Sequence, residues 1–410
     1  ALLPQYAGTG IPTGVAITAL GTGFFILSGT FSSILLIHLQ MRFQALALVL
    51  GKILTFGLIV LIIFGIHEAP TTQSFYALLW AGVAGSFLTL IMTWRGARRF
   101  LQVKMNWNKP LMKRLFLTAL PFGIATFIST IYFRLDITMM GIILPPSAAD
   151  GSCAAQFCGD QQVGIYGVAV RVMEVIMILP LYFMNSILPT LSKSIARGEQ
   201  QATERHLQLP FLFLILFALP ATVGLFILAH PIVELVTPEG FGSEIALRIL
   251  TFPLLFIFLS TFFSFVLIAY GKQRHILWIN VIALLFNLTT NLWAISRYGF
   301  VGASYTTLIS EGIIVVCMVV SFLQVSRFAI PWKKILGALL STMLMGLTTY
   351  FLWKYWGSGV GKTSLAVIIP LAGIIYGAGL LLTRAVDRSF LQLLKKETQE
   401  VVVPEDVKMG

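Results

Sequence analysis

A chain of 410 residues that is 57% hydrophobic and only 11% charged cannot be an ordinary soluble domain, where charged residues make up about 25%. The formal net charge of +12 is no nucleic-acid stripe, because the bases sit in short gaps beside apolar stretches, where they set membrane topology and meet anionic headgroups. Three cysteines and five histidines, with no ligand spacing among them, exclude a thiolate or histidine metal centre and give no sign of a cofactor.

Eleven apolar segments are long enough to cross about 30 Å of hydrocarbon. They are predicted at 11–37, 43–66, 74–94, 115–144, 163–190, 209–229, 246–270, 276–296, 301–324, 335–353 and 363–383. The expected fold class is therefore an all-α polytopic membrane protein. Of the 28 Lys and Arg residues, 21 fall in alternate gaps, three in the other gaps and four inside spans. The basic side is cytoplasmic by the positive-inside rule, which predicts a cytoplasmic C-terminus and an external residue 1. An external start implies an odd number of spans upstream.

In the first three spans the one ionisable side chain set deep in hydrocarbon is Lys52. The linker that follows, 95–114, carries Arg95, Arg98, Arg99, Lys104, Lys109, Lys113 and Arg114, interleaved with Phe100, Val103, Met105 and Trp107. That pattern predicts an amphipathic segment in the headgroup region joining two bundles.

The fourth span holds Arg134 and Asp136, the fifth Arg171 and Glu174, and the ninth Glu311. Burying such groups in hydrocarbon costs at least a few kcal/mol, so they are expected to face an interior cavity. At 1.5 Å per residue all five fall in one layer, roughly 12–16 Å below the predicted external ends of their helices. Arg171 and Glu174, three apart, can meet on one face. Arg134 and Asp136 point about 160° apart. The expected pairing sets Asp136 against Arg171 and leaves Arg134 to Glu174 or Glu311. Such a set either locks two helices by ion pairs or offers guanidinium forks to an anionic headgroup. The carboxylates would hold the arginines in the empty site or take up a coupling cation, H+ or Na+.

Between the fourth and fifth spans the external loop contains Cys153 and Cys158; a disulfide and two free thiols both fit an oxidising face. On the eighth span Asn280, Asn287 and Asn291 form a polar stripe. The run Gly357–Thr363 is read as a flexible glycine turn. A phosphate-binding loop would need glycine where Trp356 stands.

Arg134-x-Asp136, followed by Val163-Gly164-x-Tyr166-Gly167-x-Ala169-x-Arg171-x-x-Glu174, resembles the seventh and eighth helices of the polysaccharide-transporter (O-antigen flippase) family. That family belongs to the multidrug/oligosaccharidyl-lipid/polysaccharide exporter superfamily. Phe300-Val301-Gly302-Ala303-Ser304 leading to Glu311 resembles its twelfth helix, and Ala269-Tyr270-Gly271-Lys272 the turn after its tenth. The resemblance implies a two-lobe bundle lacking three helices of its first lobe. Residues 1–94 would be the remainder of that lobe, 95–114 the basic linker, 115–324 the six-helix second lobe, 325–384 two additional spans and 385–410 a cytoplasmic tail.

By the same resemblance the protein moves lipid-diphosphate-linked oligosaccharide from the cytoplasmic to the outer leaflet of the plasma (inner) membrane by alternating access, without ATP. The residues expected at the substrate cavity, from the charged and polar groups set inside the spans, are Lys52, Arg134, Asp136, Arg171, Glu174, Asn287 and Glu311. Partners implied are the lipid-linked substrate, membrane lipids and glycan-assembly proteins, with no nucleic acid. Alternatives are a cation-coupled drug exporter of the same superfamily, a flippase for cell-wall precursors, and a membrane-embedded sugar polymerase. An enzyme is not expected, since the longest external loop, 145–162, offers two Asp residues but no base or His.

Overall fold

The computed structural model describes residues 11–37, 41–65, 72–100, 109–145, 158–326 and 328–386. Among these the regular structure is entirely helical. In lipid every backbone N–H and C=O must be satisfied within its own segment, which helices do and isolated strands do not. The helices are α1 (Ile11–Ile37), α2 (Met41–Gly65), α3 (Thr72–Ala97), α4 (Lys109–Ile143), α5 (Gly159–Ala196), α6 (Gln200–Ile227), α7 (Ala229–Val236), α8 (Ser243–Ala269), α9 (Gln273–Leu323), α10 (Trp332–Leu352), the single turn α11 (Ser358–Val360) and α12 (Leu365–Leu382).

Eight stretches among the described residues are long and apolar enough to cross a membrane. Two of these, Gln273–Leu323 and Trp332–Leu382, run to 51 residues each and hold two predicted spans apiece. The first folds back at Gly299 and the second through tight turns between Trp353 and Ser364. With α4, every predicted span has its helix. The chain is an all-α polytopic membrane protein. Within the glycine run expected to be a flexible turn, Gly357 is buried against Trp353 and Ile368, while Ser358, Gly359 and Val360 are exposed.

The chain divides into two compact units, 1–115 and 116–410. In the first, α3 packs against both α1 and α2. Its seam with α2 is built from small residues: a Cβ on Gly51 would strike Thr89 and the Gly85 carbonyl, and one on Gly85 would strike Thr55 and the Gly51 carbonyl. Thr55 and Thr89 return their hydroxyls to the carbonyls of Gly51 and Gly85 at 3.0 and 2.9 Å. Small residues let the two backbones approach, which is how membrane helices gain packing where lipid supplies no hydrophobic drive. Beyond α3 the Arg98 guanidinium lies 4.6 Å over the Trp94 ring. Residues 101–108 of the expected amphipathic linker lie outside the described residues.

In the second unit α8 is the central element, packed on α5, α6 and α9. Leu247, Leu254, Phe258, Phe262 and Val266 on α8 are almost completely buried. Phe211, Phe262, Phe263, Phe322 and Phe328 close one end with edge-on and tilted ring contacts. The final helices dock through α10 on α6, and Tyr376 of α12 donates its hydroxyl to the Leu216 carbonyl at 2.7 Å.

The connection between α4 and α5 is pinned at its base, where the Gly159 N–H donates to the Pro145 carbonyl at 2.8 Å. Cys158, just before α5, is disulfide-bonded and Cys317 is a free thiol. Cys153, the expected partner of Cys158, lies outside the described residues, as does the tail from 387 onward.

Candidate functional site

Two polar clusters form where α4, α5 and α9 meet, and they differ in exposure. The first is a triad. The Glu174 carboxylate takes Arg134 Nη2 on Oε1 at 2.9 Å and Arg171 Nη1 on Oε2 at 2.7 Å. All three side chains are well exposed, at 45% for Arg134, 69% for Arg171 and 34% for Glu174. One carboxylate between two guanidiniums leaves a single net positive charge and N–H donors aimed away from the pair. An open cationic fork of this kind is suited to oxyanions.

The second cluster is buried. Asp136 is 7% exposed and is ringed by neutral donors rather than cations. Tyr166 Oη and Thr307 Oγ1 both donate to its Oδ2, at 2.8 and 2.6 Å, and Asn291 Nδ2 donates to its Oδ1 at 2.6 Å. Asn291 also donates to Asn287 Oδ1 at 2.9 Å, and its own Oδ1 is buried with no hydrogen-bond partner among the described residues. One turn along both α4 and α9, Tyr132 donates to Glu311 Oε1 at 3.0 Å, with Glu311 only 3% exposed. Asp136–Thr307 and Tyr132–Glu311 are thus successive rungs between the two helices.

The expected pairing of Asp136 with Arg171 is not what the structure forms. Tyr166 and Arg171 are five residues apart on α5, about 140° around the helix. Tyr166 turns inward to Asp136, while Arg171 turns outward to Glu174. Arg134 finds Glu174, the first of its two expected carboxylates, and Glu311 takes Tyr132 instead. The expected opposition of Arg134 and Asp136 does hold, one exposed and the other buried. Asn287 belongs to the buried cluster, with 1% exposure. Lys52 is exposed on α2 in the first unit.

Tyr132, Tyr166, Asn291 and Thr307 are the partners that charge counting missed. Their signal is spacing. Asn287 and Asn291 are four apart, as are Thr307 and Glu311, and Tyr132 and Asp136, so each pair shares a helix face. Among the described residues no group of three or more His, Cys, Asp or Glu is placed to hold a metal.

The family described as MatE matches residues 137–293. The family described as Polysaccharide biosynthesis protein matches residues 14–195. Both matches cover most of α5, which carries Tyr166, Arg171 and Glu174. Both matched families agree with the resemblance to the multidrug/oligosaccharidyl-lipid/polysaccharide exporter superfamily. The chain is a multi-pass, all-helical membrane protein.

Among solved structures, one described as "Lipid II flippase MurJ, inward closed conformation" superposes with a TM-score of 0.68 at 16% identity, over 90% of this chain and 73% of that one. At that identity the likeness is one of fold. A second, described as "Crystal structure of MATE in the bent conformation", gives a TM-score of 0.44 at 15% identity, over 65% of this chain and 62% of that one. No curated protein matches the sequence significantly.

Proposed function

We propose that this exporter-superfamily member is a transporter, not an enzyme, that flips lipid-diphosphate-linked oligosaccharide from the cytoplasmic to the outer leaflet of the plasma (inner) membrane by alternating access. The observation that carries the reading is the exposed Arg134–Glu174–Arg171 triad, built from helices α4 and α5 where spans are predicted. Guanidinium groups left open in a span answer to an anionic ligand, and their planar forks match diphosphate oxygens. The triad receives the diphosphate, the isoprenoid chain stays in lipid, and the sugars follow through the polar interior. O-antigen repeat units are the substrate suggested by the resemblance of α4 and α5. The net positive charge of the triad speaks against a cationic drug as cargo.

The buried cluster has a separate task. The Asp136 carboxylate, the Asn287 and Asn291 carbonyl oxygens and the Thr307 hydroxyl are the hard oxygen donors that a small alkali cation takes. The unpartnered Asn291 Oδ1 fits that use. A coupling cation held there would neutralise a carboxylate that has no cationic partner among the described residues.

The test is reconstitution in vesicles with a fluorescent polyprenyl-diphosphate oligosaccharide. Wild type is expected to move it between leaflets. Arg134→Ala and Arg171→Ala are expected to slow movement at least about tenfold, the scale of one lost charge-assisted contact. A wild type that moves none of several such lipids but extrudes a cationic drug would overturn the reading.

A further inference from the structure

Helix α9 does not end between its two spans. It folds at one residue, Gly299, whose φ of 56° and ψ of −135° only glycine adopts without strain. The bend leaves the Phe300 N–H without its helical acceptor, and Gln162 Oε1, from the first turns of α5, accepts it at 2.7 Å. The fit is close: a Cβ on Gly299 would overlap the Gln162 carboxamide, which is itself 3% exposed. On the far limb Gly302 rests against the Ala294 carbonyl, so the two limbs touch immediately below the bend.

The two limbs supply different halves of the buried cluster. Asn287 and Asn291 come from the limb before Gly299, and Thr307 and Glu311 from the limb after it. Asp136 is bonded by both. Its two oxygens therefore report the spread of the limbs, with Asn291 on Oδ1 and Thr307 on Oδ2. Gln162 and Tyr166 are four residues apart on α5 and share a face. One grips the bend and the other donates to Asp136.

From this arrangement we infer that Gln162 is a positioning residue: by holding the Phe300 amide at the bend of α9, it sets the limb spread that lets Thr307 and Asn291 reach Asp136 together. It touches no cargo in this scheme and acts only through Thr307 and Asn291. The inference goes beyond the transport reading, and its consequence for transport rests on that reading.

The experiment reads geometry and transport separately. Ile282 and Val316 are exposed and equally far from Gly299 along the two limbs. In a Cys317→Ser background, spin labels at these positions report the limb spread of the full chain in nanodiscs. Gln162→Ala is expected to lengthen and broaden the distance distribution. Gln162→Glu keeps an acceptor for the Phe300 amide and is expected to retain the wild-type distribution.

In vesicles carrying the polyprenyl-diphosphate oligosaccharide, Gln162→Ala is expected to slow flipping about tenfold. Combined with Thr307→Val it should cost no more than Thr307→Val alone, because both act through the same bond. An unchanged distance distribution in Gln162→Ala would overturn the inference, as would rate losses that multiply in the double variant. If the wild type flips nothing, the transport reading falls and the limb distances alone decide the role of Gln162.

Discussion

Asn291 gives both of its amide hydrogens away, one to Asp136 Oδ1 and one to Asn287 Oδ1, while its own carbonyl oxygen is buried with no hydrogen-bond partner among the described residues. A neutral side chain is thus the hub on which a carboxylate and a second amide depend. Replacing Asn291 with leucine, of similar size, would orphan two buried acceptors at once. Unmade bonds of this kind cost about 1–3 kcal/mol each. The expected result is a clear fall in thermal midpoint in detergent, larger than that of Asn287→Leu, which leaves the Asn291–Asp136 bond in place.

The triad behaves in the opposite sense. Its members are too exposed for their ion pairs to stabilise the fold much, so Glu174→Gln should leave thermal stability within about 0.5 kcal/mol of wild type. Function should respond, because the two guanidiniums lose the carboxylate that holds them. Equilibrium binding of an isoprenyl diphosphate, measured at low and high salt, is expected to tighten in Glu174→Gln and to become more salt-sensitive. Arg171→Lys, with its charge kept and its planar fork lost, is expected to weaken the same binding.

In the first unit the reciprocal contacts of Gly51 and Gly85 with Thr89 and Thr55 leave no room for a side chain. Gly85→Ala must push α2 and α3 apart, at a cost of about 1–3 kcal/mol for an overpacked seam. Hydrogen exchange should show α2 and α3 amides exchanging faster while those of α8 are unchanged. Gly57→Ala, on α2 but with open space around its α-carbon, is the control expected to change nothing or to stabilise α2.

Tyr376→Phe removes the hydroxyl that reaches the Leu216 carbonyl and nothing else of the ring. The loss is about 1 kcal/mol, confined to the docking of the α10–α12 pair on α6. Exchange of α12 amides should rise, and vesicle transport should stay near wild type because α4, α5 and α9 are untouched.

Which parts of this architecture the sequence discloses follows from the physics each part obeys. The spans are legible because hydrocarbon thickness dictates a length, and apolar runs such as Met41–Gly65 and Ser243–Ala269 state it openly. The triad is legible in part, because Arg171 and Glu174 are three apart on one helix. The partners of Asp136 are not legible from charge, since a carboxylate in a low-dielectric interior is held as well by Tyr166, Thr307 and Asn291 as by a guanidinium. Charge counting sends Asp136 to Arg171, whereas helical phase, which separates Tyr166 from Arg171, sends it inward. Gly299 reads as one glycine in a gap. Only the backbone angles and the neighbouring carboxamide of Gln162 identify it as the whole of the turn.

That single-residue turn has a consequence for how the protein is made. Two spans joined by an ordinary loop can enter the bilayer one after the other, the first resting while the second is synthesised. The limbs of α9 have no such spacer, because Gly302 already lies against Ala294 just past the bend. Until Thr307 and Glu311 have emerged and folded back, Asn287 and Asn291 lack the sister limb that completes their polar cluster with Asp136. The pair is therefore expected to be integrated as one hairpin, residues 273–323 acting as a single unit of biogenesis that holds two predicted spans.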